Sequence, residues 1–159
     1  SKMHLHKPSW LSSLGLIALL QYAPAVFANV KPGVPVKSGT ELRILPLGDS
    51  ITWGYNSPDG NGYRLELYNN LAGDKVVMAG AVQSGNMIDN WNAGYPGQTI
   101  QYIIGQAANS YSQTPNIVLF MAGTNDMNPD PNVSKQGTDA TQATQRLSNA
   151  VDQLFKALP

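Results

Sequence analysis

Leu42-Arg-Ile-Leu-Pro-Leu-Gly-Asp-Ser50 is the stretch on which the reading of this chain turns. It is a short apolar run that stops at a glycine and hands over to an acid and a serine. Such a run is consistent with a buried strand, with Pro46 expected near its end, where a missing backbone N–H costs least. Two further runs share its character, Lys75-Val-Val-Met-Ala79 and Asn116-Ile-Val-Leu-Phe-Met121, the second being the most apolar. Between and after them the apolar period lengthens to that of helices. Leu65, Tyr68 and Leu71 share a face over 63–71, and Thr99 stands as N-cap before Ile100, Ile103, Ile104 and Ala107. A last helix is expected over roughly 140–157, with Leu147, Val151, Leu154 and Phe155 facing inward. Residues 80–98 read as one long Gly/Asn-rich loop.

The order β-α-β-α-β-α predicts an α/β fold, a parallel sheet covered by helices on both faces, in one domain. In open sheets of this kind, function gathers on the loops beyond the carboxyl ends of the strands. Here those loops begin at Gly48, Gly80 and Gly123.

Composition narrows the choice of function. Ten Lys plus Arg balance ten Asp plus Glu among 159 residues, with no basic stripe, which argues against nucleic acid as a partner. There is no cysteine, and no Asp/Glu/His cluster at ligand spacing, so neither a metal nor another cofactor is expected. Residues 1–28 carry a weakly basic start, an apolar run over 11–20, Pro24, and Val26-Phe27-Ala28. That is the anatomy of a secretory signal cleaved after Ala28, and the run is too short for a stable membrane anchor. Cleavage would remove Lys2, Lys7, His4 and His6, leaving eight basic against ten acidic residues and no histidine. Residues 29–41 then form an extended lead-in to a domain over 42–159, and Asn132-Val-Ser134 is a candidate N-glycosylation site.

Each of the three loops offers chemistry and a plainer role. Ser50, at a strand-to-helix turn, can expose its Oγ as a nucleophile beside backbone N–H groups, or serve only as a helix N-cap. A phosphate loop fails, because no lysine follows Gly54. In Gly94-Tyr-Pro-Gly-Gln-Thr99, Gly97 leaves room for an acyl group before a helix N-terminus, or simply makes a tight turn. In Gly123-Thr-Asn-Asp126, the Asn125 amide can donate to an oxyanion, or Asn125 or Asp126 can make an Asx-turn. Three such loops at successive strand ends favour the catalytic set.

Together these blocks resemble the SGNH, or GDSL-type, hydrolase superfamily over residues 42–158. With Gly62-Tyr-Arg64 added, the chain is most similar to fungal carbohydrate esterase family three, whose characterised members are acetylxylan esterases. The resemblance implies a three-layer α-β-α, flavodoxin-like parallel sheet. It also implies Ser50 as nucleophile, with its own N–H, the Gly97 N–H and the Asn125 side chain as oxyanion hole. Asp49 would help to hold the serine turn. The substrate implied is an acylated carbohydrate or other ester, and Trp53, Tyr55, Tyr63, Trp91 and Tyr95 are aromatics suited to sugar stacking, Trp53 and Tyr95 first among them.

The superfamily's fourth block, Asp-x-x-His, is missing, so the general base is not visible. The sheet is expected to stop after its third strand and helix in the order 2-1-3, as in a fragment, a truncated gene product or a chain completed by a partner. That order makes 117–121 an open edge prone to self-association. Two other functions compete. A lysophospholipase or lipase on the same fold would need a deep apolar acyl tunnel. A non-catalytic binding domain or pseudoenzyme would keep the pocket without a base.

Overall fold

The computed structural model describes Pro35, 39–128, Asp130 and 140–158. The expected signal segment and the Asn132 glycosylation site lie outside the described residues.

The sheet is built around β1 (Glu41–Gly48), which pairs in parallel with three neighbours. On one side runs β5 (Ile117–Met121), in register from Ile44↔Ile117 to Gly48↔Met121. On the other side lie β2 (Lys75–Met78), paired from Glu41 to Ile44, and β4 (Trp91–Gly94), paired at Leu47 and Gly48. The three strands expected from the sequence therefore lie in the expected order, β2-β1-β5, and among the described residues β5 pairs with β1 alone.

Pro46 corrects the expectation that it closes its strand: it lies inside β1, opposite Leu119. Ala79 N–H donates to Ile44 O and Tyr95 N–H to Gly48 O, so the even-numbered positions of β1 face β2 and β4. The missing Pro46 N–H thus falls in the gap between the last β2 pair and the first β4 pair. Nothing is lost there.

The 80–98 region also departs from the single loop read in the sequence. β3 (Val82–Gln83) and β4 form a short antiparallel hairpin, and β4 turns back to join β1. The sheet is mixed rather than wholly parallel.

Helices cover both faces. α2 (Arg64–Asn70) follows the first loop, and with Leu71 it packs Leu65, Leu67 and Tyr68 over Leu42, Ile44, Met78 and Met87. On the opposite face α3 (Ile100–Gln106) continues as a 3-10 turn over Ala107–Gln113, and α5 (Ala143–Ala157) lies beside it. Leu45, Leu47, Ala93, Ile103, Ala150 and Leu154 close this second core. Each fully buried Leu or Ile contributes about 1.5–3 kcal/mol through the water it no longer orders. Two single-turn helices complete the elements at the functional edge, α1 (Ser50–Trp53) and α4 (Thr124–Met127).

α5 does not face as expected. Leu154 is buried, but its core partner is Ala150, while Leu147, Val151 and Phe155 are exposed, Phe155 by 76%. These three recur every fourth residue and make a stripe beside the core-facing one. Val151 and Phe155, with Leu154 and with Val118 and Phe120 of β5, line a groove of about 680 Å³. Among the described residues β5 pairs with β1 alone, so no further strand covers the stripe.

Candidate active site

β1 ends at Gly48, and the chain turns at once into α1. Asp49 occupies the N-cap position, and its Oδ1 accepts from the Ile51 N–H at 2.9 Å. Ser50 is therefore the first residue of the helix and not its cap. Asp49 is fully buried, and its Oδ2 has no hydrogen-bond partner among the described residues. Gly48 is required by space: a Cβ there would stand 2.3 Å from both Met121 O and Thr52 Oγ1. Ser50 itself is half-buried at the carboxyl edge of the sheet.

Backbone bonds stitch the other two loops to this turn. Tyr95 N–H donates to Gly48 O at 2.9 Å, bringing the segment after β4 against the end of β1. Asp49 N–H donates to Met121 O at 3.3 Å, doing the same for the end of β5. Gly97 then adopts φ +76°, a left-handed conformation that a side chain would strain. Asn125, almost fully buried, donates through Nδ2 to Gln98 O at 2.8 Å. Its amide thus spans to the Gly97 turn instead of closing a local Asx-turn. The Gly97 turn and Asn125 touch directly, and both are tied to the ends of the strands that flank Ser50.

Thr99 holds the N-cap position of α3 without a side-chain cap bond. The cap comes from elsewhere: Asp126 Oδ2 accepts the Ile100 N–H at 2.9 Å, and its Oδ1 accepts from Arg146 Nε of α5 at 2.7 Å. Asp126 is fully buried. Read along the chain, Asp126 has no role beyond a turn, and Arg146 none at all. The only signal was scarcity, for the chain has just three arginines, Arg43, Arg64 and Arg146.

Arg64 is also fully buried, and it too lay beyond what the residues alone could say. Its guanidinium donates to the carbonyls of Trp53, Gly60, Ser84 and Asn90 and to Ser84 Oγ, within 2.8–3.2 Å. One side chain so joins the end of α1 to the loop before α2 and to the β3–β4 hairpin. Burial makes its charged form less favourable and lowers its pKa.

The five aromatics do not form one platform. Tyr63 is turned inward, its hydroxyl sharing a 3.2 Å hydrogen bond with Thr52 Oγ1, and burial raises its pKa. Tyr95 packs on the core and meets Tyr102 edge-on at 5.7 Å, and burial raises its pKa as well. Trp53 is half-buried, whereas Tyr55 and Trp91 are exposed. Among the described residues no group of three or more His, Cys, Asp or Glu could hold a metal ion, and no helix is long and apolar enough to cross a membrane.

Residues 44–159 match the family model described as GDSL-like lipase/acylhydrolase. The chain belongs to this family. Among solved structures it is similar to a family 3 carbohydrate esterase from Clostridium thermocellum, at 30% identity and a TM-score of 0.61, over 74% of this chain and 57% of that one. A family 3 carbohydrate esterase from Talaromyces cellulolyticus shares the fold at 24% identity and a TM-score of 0.50, over 73% and 56% of the two chains. AlinE4, an SGNH-hydrolase family esterase, does so at 22% and 0.53, over 77% and 58%. This GDSL-like chain thus spans less than two thirds of the length of the structures it matches. No curated protein matches it.

Proposed function

We propose that this chain carries the nucleophile and oxyanion site of a secreted serine ester hydrolase that deacetylates plant cell-wall polysaccharide such as acetylxylan. The observation that supports the reading is the Asn125–Gln98 bond, which ties Asn125 to the turn after Gly97, together with the Tyr95–Gly48 and Asp49–Met121 bonds that join both loops to the end of the strand preceding Ser50. Ser50 Oγ attacks the ester carbonyl. The Ser50 and Gly97 N–H groups and the remaining Asn125 amide proton then stabilise the oxyanion, and the alcohol leaves an acyl-enzyme that water hydrolyses. Asp49 supports the reading by capping the turn on which Ser50 rides.

The described residues include no histidine, so the base that activates Ser50 comes from outside them. That same fact favours a second reading, a binding domain without turnover. The lipase reading gains nothing from the apolar groove, because Ser50, Gly97 and Asn125 do not line it. Trp53, Tyr55 and Trp91 are the aromatics that a sugar would meet; secretion rests on the character of residues 1–28. The side of β5 left unpaired among the described residues and the groove beside it support self-association with a second copy.

The test is covalent labelling by a 4-nitrophenyl alkylphosphonate followed by peptide mass analysis. The reading expects stoichiometric modification at Ser50, lost in Ser50→Ala, together with acetate release from acetylated xylan. No labelling of Ser50 favours a fragment parted from its base or the binding domain.

A further inference from the structure

The adjacent residues Asn125 and Asp126 grip one turn at two points. Asn125 Nδ2 holds Gln98 O at 2.8 Å, and Asp126 Oδ2 holds the Ile100 N–H at 2.9 Å. The turn between those points follows directly on Gly97. The grip depends on a carboxylate that is 0% exposed, and its other oxygen is met by Arg146 Nε at 2.7 Å. The Arg146 side chain is itself only 20% exposed. A buried carboxylate without its cation is costly, so it reorients or draws in water when the cation is removed. Here either response displaces Asn125, the next residue in the chain.

We infer that Asp126 and Arg146 are positioning residues for the oxyanion site. Arg146, on α5, keeps the Asp126 carboxylate in place. Asp126 in turn fixes the start of α3 and the orientation of Asn125 relative to the Gly97 turn. Neither touches the substrate. The inference rests on the ester-hydrolase reading. Its physical weight comes from the tolerance of such sites: a misplacement of about 1 Å can cost about 100-fold in rate. An oxyanion donor acts only within about 2.7–3.1 Å of the developing charge.

A plain tie between helices would make the same two bonds, so the test separates stability from geometry. The labelling kinetics of Ser50 by the phosphonate are resolved into a binding constant and a maximal rate for Arg146→Ala, Arg146→Met, Arg146→Lys and Asp126→Asn. Positioning expects the maximal rate to fall about tenfold or more in Arg146→Ala and Arg146→Met, with the binding constant within about twofold. Arg146→Lys, which restores a cation, recovers much of the loss. Rates that stay within twofold in folded variants, or that follow thermal stability irrespective of charge, overturn the inference.

A second readout stands without turnover. In nitrogen-15 spectra, the Asn125 side-chain amide and the Ile100 backbone amide should shift in Arg146→Met and return toward the original in Arg146→Lys. Unmoved signals also overturn the inference. Failure of Ser50 labelling in the unsubstituted chain counts against the hydrolase reading alone, because the spectra still decide whether Arg146 positions Asn125.

Discussion

At the scale of single residues, buried polar groups gather at the edge of the sheet around Ser50. Asp49, Thr52, Asn61, Arg64, Asn92, Asn125 and Asp126 are all buried within or beside the loops that surround Ser50. Their hydrogen bonds set geometry, since a typical one is worth only about 0.5–1.5 kcal/mol net. Tyr63 gives this region a pH signature. Burial holds its folded-state pKa above the ordinary tyrosine value of 10.0. As pH rises, the unfolded chain therefore loses this proton first. The contribution to stability is complete below about pH 10 and is lost as pH climbs through the folded value. Urea unfolding between about pH 8 and pH 11 should show a steeper alkaline fall in the unsubstituted chain than in Tyr63→Phe. Equal slopes would assign the fall to other tyrosines, such as Tyr95 and Tyr111, whose pKa values burial also raises.

At the scale of elements, the site depends on how closely β4 approaches α1. A Cβ at Gly94 would lie 2.4 Å from Trp53 N and 2.8 Å from Trp53 Cα. Both are backbone atoms of the helix that presents Ser50, so they cannot rotate away. Gly94→Ala should therefore cost about 1–3 kcal/mol in urea unfolding, as overpacking does, and should slow phosphonate labelling of Ser50. An unchanged labelling rate would mean that β4 yields and α1 does not. The sequence showed a glycine before Tyr95 but gave no sign of this contact, because β4 was hidden inside what read as a loop. Its four residues, Trp-Asn-Ala-Gly, have none of the branched side chains that mark a strand. The extended backbone is imposed from outside, by pairing with β1 and β3.

At the scale of the whole molecule, the side of β5 that pairs with no strand among the described residues is the feature with the largest consequence. Its apolar run is the strongest strand signal in the chain, yet Ile117, Val118, Leu119 and Phe120 are only half-buried and Met121 is 42% exposed. The outer stripe of α5 adds Phe155 to the same apolar surface. A long apolar edge of this kind promotes association. Phe155→Glu places a charge on that surface without touching the core. It should reduce concentration-dependent light scattering while leaving stability within about 0.5 kcal/mol, as surface changes usually do. Undiminished scattering would place the adhesive surface elsewhere.

The sequence by itself determined β1, β2 and β5, the helices that follow them and the order β2-β1-β5. Apolar period and turn residues are local properties, and an α/β alternation admits few connections. It also placed the loops of Ser50 and Asn125 just beyond the carboxyl ends of β1 and β5, whereas the strand that Gly97 follows, β4, was not legible in it. Tertiary structure alone decided what those loops hold on to. Asp126 caps a helix 26 residues earlier, Arg146 lies 20 residues beyond Asp126, and the Arg64 guanidinium gathers carbonyls from three separate segments. It likewise decided that Ala150, not Leu147 or Phe155, meets the core. Hydrogen-bond partners and burial depend on distance in space, and a period along the chain carries no record of that distance.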